Sequence, residues 1–186
     1  MTVNGALQIA LYLVLLLACV KPLGVFMARV YEGSPPWFVR WLQPLERLVY
    51  RLAGVDSDAE MDSRRYARCV LWLSGLSFLM VYVLQRIQSV LPFNPDGLGA
   101  VSPDSAFNTT VSFVTNTNWQ GYAGEATMSY GTQMLALTTQ NFVSAAVGMA
   151  VAVALIRGFA RNECSVIGNF WVDLVRGTLY VLLPLS

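Results

Sequence analysis

Apolar residues run almost unbroken through four stretches of the chain. Met1 to Val20 holds no charge, and Ala6 to Val20 is apolar except for Gln8. After Lys21 and Pro22, apolar character resumes from Leu23 to Ala28. A helix needs about 20 residues to cross the hydrocarbon layer, so the pattern predicts a first transmembrane helix over 1–28. A cleaved leader is disfavoured, because the positive charges follow the apolar core instead of preceding it. The second stretch is Cys69 to Gln85, with Arg64, Arg65 and Arg68 before it and Arg86 after. The third runs uncharged from Ala126 to Ile156. The fourth begins near Val166 and continues to Ser186, with Asp173 and Arg176 inside it. Their i, i+3 spacing lets those two share a helix face and pair.

Between the first two stretches, Trp37, Phe38, Trp41, Leu42, Leu45, Leu48, Val49 and Leu52 recur at helical spacing, with Arg40, Glu46, Arg47 and Arg51 between them. This predicts a short amphipathic helix, interrupted or started by Pro44. It would lie in the headgroup layer or dock on a partner. The acidic run from Gly54 to Asp62 reads as a surface turn and lacks the glycine and terminal glutamate spacing of a calcium loop.

Composition fits lipid as the solvent. Only 12% of the 186 residues are charged, against about 25% in an ordinary soluble domain. A net charge of +1 gives no reason to expect nucleic acid. Histidine is absent, which removes the commonest general base and metal ligand. Cys19, Cys69 and Cys164 are dispersed and read as small buried hydrophobes, neither a disulfide framework nor a zinc site. Arginine placement predicts orientation. Arg29, Arg40, Arg47, Arg51, Arg64, Arg65 and Arg68 precede the second stretch, and Arg157 and Arg161 follow the third. The connection from Ser89 to Glu125 holds no lysine or arginine. The expected N-terminus is therefore outside, with 29–68 cytoplasmic, 89–125 external and Arg86 the exception.

That external connection carries the chemistry. Ser102 before Pro103 suits a helix N-cap with proline in the first turn, and Asp104 complements the dipole there. The predicted helix, Pro103 to Val114, is too short to span and, with Phe107, Val111 and Val114 on one side, too apolar for a solvated loop. A helix that dips into the membrane and returns resolves the conflict. It is followed by Thr115, Asn116, Thr117, Asn118, Trp119, Gln120 and Gly121, all neutral. Irregular backbone at membrane depth is tolerated where it is buried in protein or lines water. The partly negative helix end and the carbonyls of Thr115 to Asn118 would then replace water around a bare cation. An ordinary external loop is the competing reading. On the third stretch, Gln133, Gln140, Asn141 and Ser144 recur at helical spacing, for interhelical bonding or for lining a water path.

Ser112 to Gln120 resembles the first selectivity-filter segment of the KdpA family, the potassium-binding subunits of Kdp-type potassium-importing ATPases. Similar too are Phe107 to Thr109, Met128 to Tyr130, Thr138 to Ala146 and Gly168 to Tyr180. The resemblance implies an all-α integral membrane fold of one extra N-terminal helix and four helix–pore loop–helix repeats. This chain would supply the extra helix (1–28), a cytoplasmic loop with an interfacial amphipathic helix (29–65), the first repeat (66–158), and a cytoplasmic turn with the first helix of an incomplete second repeat (159–186). It implies K+ held by main-chain oxygens of Thr115, Asn116, Thr117 and Asn118, with Gln120 and Gly121 supporting the filter. It further implies ATP hydrolysis on a P-type ATPase partner, small accessory membrane subunits, and a bacterial inner membrane location. One repeat cannot close a fourfold pore, so these residues alone are expected not to conduct.

No nucleotide-binding motif and no GxSxG turn occurs, so neither an ATPase site nor a protease is expected in this chain, and no organic cofactor is expected. A non-conducting membrane assembly protein and a Trk/Ktr-like potassium transporter remain the alternatives.

Overall fold

The computed structural model describes residues 3–160 and 165–186. Arg161 and Cys164, both weighed above, lie outside the described residues. Helix α1 spans Val3–Tyr31 and passes through Pro22 without ending. A 3₁₀ helix, Trp37–Leu42, leads directly into α2, Gln43–Ala53. Pro44 opens α2, and Gly54 closes it in the left-handed conformation. Helix α3 spans Ser63–Arg86, with the Asp62 carboxylate accepting from Arg65 N. A short helix, α4, covers Pro103–Val114, and one turn, α5, covers Gly124–Thr127. Helix α6 runs over Tyr130–Ala160 and contains a π-helical segment, Gln133–Thr138. Helix α7 covers 170–185, with a second π-helical segment at Gly177–Leu182. Among the described residues the fold is all-α, the one β-bridge being Asp62 with Val166.

Three of these helices, α1, α3 and α6, are long and apolar enough to cross a membrane. Their ends sort into two groups. At one end, Met61 N donates to Gly168 O at 2.7 Å, Asn169 Nδ2 donates to Asp56 O and Ala59 O, and Arg157 reaches Tyr31 O. The C-terminus of α1, the start of α3, the end of α6 and the start of α7 therefore meet there. At the other end the tip of α3 meets the segments flanking α4 and the start of α6. The apolar stretch of α1 is not buried by the described residues. Only its last turns enter a core, where Val30 joins Val39, Leu42, Tyr180 and Val181.

A buried polar system ties the first end together. Arg157 pairs with Asp173 at 2.6 Å, and Tyr66 OH donates to Asp173 Oδ2 at 3.1 Å. Arg176 pairs with Glu46 at 3.0 Å. The expected Asp173–Arg176 pair is thus not formed, because each residue finds a partner on another helix. Gly168 is required beside this system: its φ is +106, and the Arg157 guanidinium occupies the space a Cβ would need. Cys19 also departs from expectation, standing exposed on α1.

Candidate functional site

The N-cap expected for α4 is present, with Ser105 N donating to Ser102 Oγ at 3.4 Å. Helix α4 buries Ala106, Thr109, Thr110, Ser112 and Phe113, whereas Phe107 is 53% exposed. Of the apolar side noted in the sequence, Phe107 faces outward and Val111 and Val114 are half-buried, while the hydroxyl-bearing side faces in. The hydroxyls allow this by bonding to their own helix and to α3. Thr110 donates to Ala106 O at 2.7 Å, and Gln85 Nε2 donates to Thr110 Oγ1 at 3.0 Å.

The segment enters and leaves at the same end of α3. Val101 N donates to Gln85 O at 3.2 Å, and Arg86 donates to Val101 O. The Phe107 ring then meets Phe78 edge-on, centroids 5.7 Å apart. At about 1.5 Å per residue, Phe78 lies about 12 Å back along α3 from its last residue, Arg86. The return limb ends beside Gln88, whose amide donates to Thr127 O at 2.9 Å. At the turning point, Asn116, Asn118, Gln120, Phe113 and Asn141 line a recess of about 430 Å³. Asn141 is about 16 Å along α6 from Tyr130. Helix α6 thus sets the turning point about 16 Å from its own start, roughly half the thickness of a hydrocarbon layer of about 30 Å.

The hairpin backbone alternates in hand. Thr115 is right-handed, Asn116 has φ +56, and Asn118 has φ +55. Asparagine is among the few non-glycine residues that populate this region readily. Successive N–H groups in such an arrangement converge into a concavity, which Ser112 O fills. It accepts from Thr117 N at 3.0 Å and Asn118 N at 3.3 Å. Ser112 Oγ donates to Trp119 O at 2.8 Å and closes the loop. The side chains satisfy one another: Thr115 Oγ1 lies 3.0 Å from Thr117 Oγ1, and Asn118 Nδ2 donates to Asn116 Oδ1 at 3.1 Å. Among the described residues, no hydrogen bond is made to the main-chain oxygens of Thr115, Asn116, Thr117 or Asn118, and all four residues are exposed. Carbonyls unclaimed by the described residues, on exposed residues at the C-terminal end of a helix, form an electronegative surface suited to a cation.

A model of the potassium-transporting ATPase A subunit family matches residues 10–186. The chain belongs to that family. The curated relatives it matches include a potassium-transporting ATPase potassium-binding subunit of Ralstonia nicotianae, 63% identical over 97% of this chain. Subunits of the same name from Herpetosiphon aurantiacus and Methylococcus capsulatus are 59% and 61% identical over 98% and 100% of it. The chain spans about 30% of the length of these relatives. Membership in this transporter family, with three apolar helices of sufficient length, makes it a membrane protein.

Of the residues singled out in the sequence, Asn116, Asn118 and Gln120 come together at the recess, while Thr115 and Thr117 stand in the turn beside it, bonded to each other. Gly121 is exposed, with open space where a Cβ would stand. The polar set on α6 divides: Gln140 is 1% exposed, Ser144 donates back to Gln140 O, and Asn141 alone reaches the recess. Sequence reading missed Ser112, Gln85 and Gln88 as structural determinants of the loop. Gln88 makes four bonds, donating to Gly99 O and Thr127 O and accepting from Ser129 N and Thr132 Oγ1. Their signal was two amides three residues apart at the end of an apolar helix.

Proposed function

We propose that this chain is the N-terminal part of a potassium-selecting subunit that takes K+ from outside and passes it to a P-type ATPase subunit. In this reading the main-chain oxygens of Thr115, Asn116, Thr117 and Asn118 form one quarter of a filter. Gln120 and Gly121 support its outer side, and later repeats supply the other three quarters. Small accessory membrane subunits complete the assembly, which sits in a bacterial inner membrane with the N-terminus of α1 outside. The observation that carries the reading is the set of carbonyls from 115 to 118, which no group among the described residues engages, at the C-terminal end of α4. No side-chain anion is needed, because several carbonyl dipoles can replace the hydration shell of a monovalent cation.

Because the ligands belong to the main chain, the test is conformational. In the complete protein with its ATPase partner, Asn116→Gly keeps the left-handed backbone accessible, whereas Asn116→Val costs about 1–2 kcal/mol there. The expected result is near-native potassium affinity for the glycine variant. For the valine variant, the half-saturating K+ concentration rises by roughly tenfold and discrimination against sodium weakens. Unchanged affinity and selectivity in the valine variant would reject the filter assignment.

A further inference from the structure

Helix α2 has three distinct faces. Successive residues turn by about 100°, which places Leu42, Glu46 and Tyr50 on one side, all buried against the bundle. A second sector carries Trp41, Leu45, Leu48 and Leu52, of which Trp41 and Leu52 are 74% and 79% exposed. The remaining sector carries Arg47 and Arg51, continued by Arg40 on the preceding 3₁₀ turn, all exposed. A surface helix of a soluble bundle turns its leucine stripe inward. Here a carboxylate occupies the inward face between Leu42 and Tyr50, and Leu45, Leu48 and Leu52 are left outside.

Glu46 fixes that rotation. Its carboxylate accepts from Arg176 Nε at 3.0 Å, Tyr180 OH at 2.5 Å and Tyr50 OH at 2.8 Å. Turning α2 by one residue's angle would strand this buried acid, so the stripe cannot swing inward. The helix therefore presents aromatic and aliphatic side chains on one sector and guanidinium groups on the adjoining one, at the end of the bundle where α1 stops and α3 begins. Glu46, the one acidic residue of α2, faces away from the arginines' solvent side. An apolar sector bordered by arginines matches the boundary between acyl chains and anionic headgroups.

We propose that α2 is an anionic-lipid binding surface: Arg40, Arg47 and Arg51 engage lipid phosphates while Trp41, Leu45, Leu48 and Leu52 lie among the acyl chains. The inference rests on the membrane location and is independent of the potassium reading. The test uses the complete assembled complex carrying an environment-sensitive fluorophore at Leu48→Cys, in nanodiscs. Brominated phosphatidylglycerol or brominated phosphatidylcholine serves as the quencher, at equal mole fraction. The glycerol lipid is expected to quench more strongly. In Arg47→Gln/Arg51→Gln its advantage should fall by roughly tenfold, as it also should in high salt. Equal quenching by both lipids overturns the headgroup preference. Quenching by neither overturns the surface altogether and points to a protein partner covering α2. If the labelled variant fails to assemble, native mass spectrometry of lipids retained by the unlabelled complex decides. Phosphatidylglycerol retention that is lost in the double variant supports the proposal, and retention that is unchanged overturns it.

Discussion

Ser112 and Trp119 hold the hairpin closed. The Ser112 hydroxyl is fully buried and donates to the Trp119 carbonyl at 2.8 Å, while the Ser112 carbonyl collects the amides of Thr117 and Asn118 from the other side. One residue at the end of α4 thus anchors both limbs of the turn. Ser112→Ala removes the hydroxyl bond and leaves the carbonyl contacts intact, a loss of about 1 kcal/mol. The complete complex carrying it is expected to assemble normally and to bind potassium more weakly, by severalfold in half-saturating concentration. Ser112→Thr keeps the hydroxyl and should recover most of that loss, which transport measurements with both variants would check.

Gln88 fixes where the two limbs begin and end. Its amide uses both donors and accepts two bonds, joining Gly99 on the way in to Thr127, Ser129 and Thr132 on the way out. A buried amide so fully used leaves several groups unsatisfied when it is removed, at about 1–3 kcal/mol for each. Gln88→Leu is expected to lower the melting temperature of the complex and reduce its yield. Thr132→Val, which deletes a single donor to Gln88, should be milder. If Gln88→Leu melts with the wild type, the hub carries no such weight.

Much of this arrangement is legible in the residues themselves. Ser102, Pro103 and Asp104 announce the start of α4, and Asn116 and Asn118 suit the left-handed positions the turn demands. Hydropathy marks α1, α3 and α6, with boundaries off by a few residues where polar caps such as Asp62 extend a helix beyond its apolar stretch. What sequence could not supply is choice among partners. Asp173 and Arg176 satisfy the spacing rule for a pair on one helix, yet Arg157 and Glu46 arrive from elsewhere in the chain and take them separately. The inward side of α4 was equally hidden. Phe107 looks like a core residue, but in lipid an apolar side chain has no need to turn inward, while the Thr110 hydroxyl needs the partners it finds in Ala106 and Gln85.

The Arg157–Asp173 pair gives a direct test of that partner choice. Asp173 is 1% exposed and Arg157 is also engaged with the carbonyls of Ile167 and Tyr31. Removing one member leaves a buried charge alone and costs about 3–5 kcal/mol. Asp173→Asn and Arg157→Met are each expected to destabilise strongly. The double variant Arg157→Met/Asp173→Leu should recover most of the loss, since replacing both charges with apolar groups is often neutral. The same assay on Arg176→Met with Asp173→Leu should show no recovery, because those two residues are not partners. Thermal denaturation of the purified complex measures all of these.

Glu46 makes the attachment of α2 depend on pH. Burial alone would raise its carboxyl, but hydrogen bonds from Tyr180, Tyr50 and Arg176 outweigh that and hold it below its ordinary value of 4.5. A group whose pKa is depressed by folding stabilises the folded state above its unfolded value and loses that contribution as pH falls through the folded one. The attachment is therefore complete at neutral pH and weakens only as the solution is acidified below the ordinary glutamate range. A fluorophore on α2, followed as pH is lowered, should report release in that acidic window. Glu46→Gln should abolish the pH dependence and weaken attachment at neutral pH by about 2 kcal/mol, the worth of a hydrogen bond to a charged group. A variant that keeps the acidic transition would show that another group, not Glu46, controls the docking of α2 on α7.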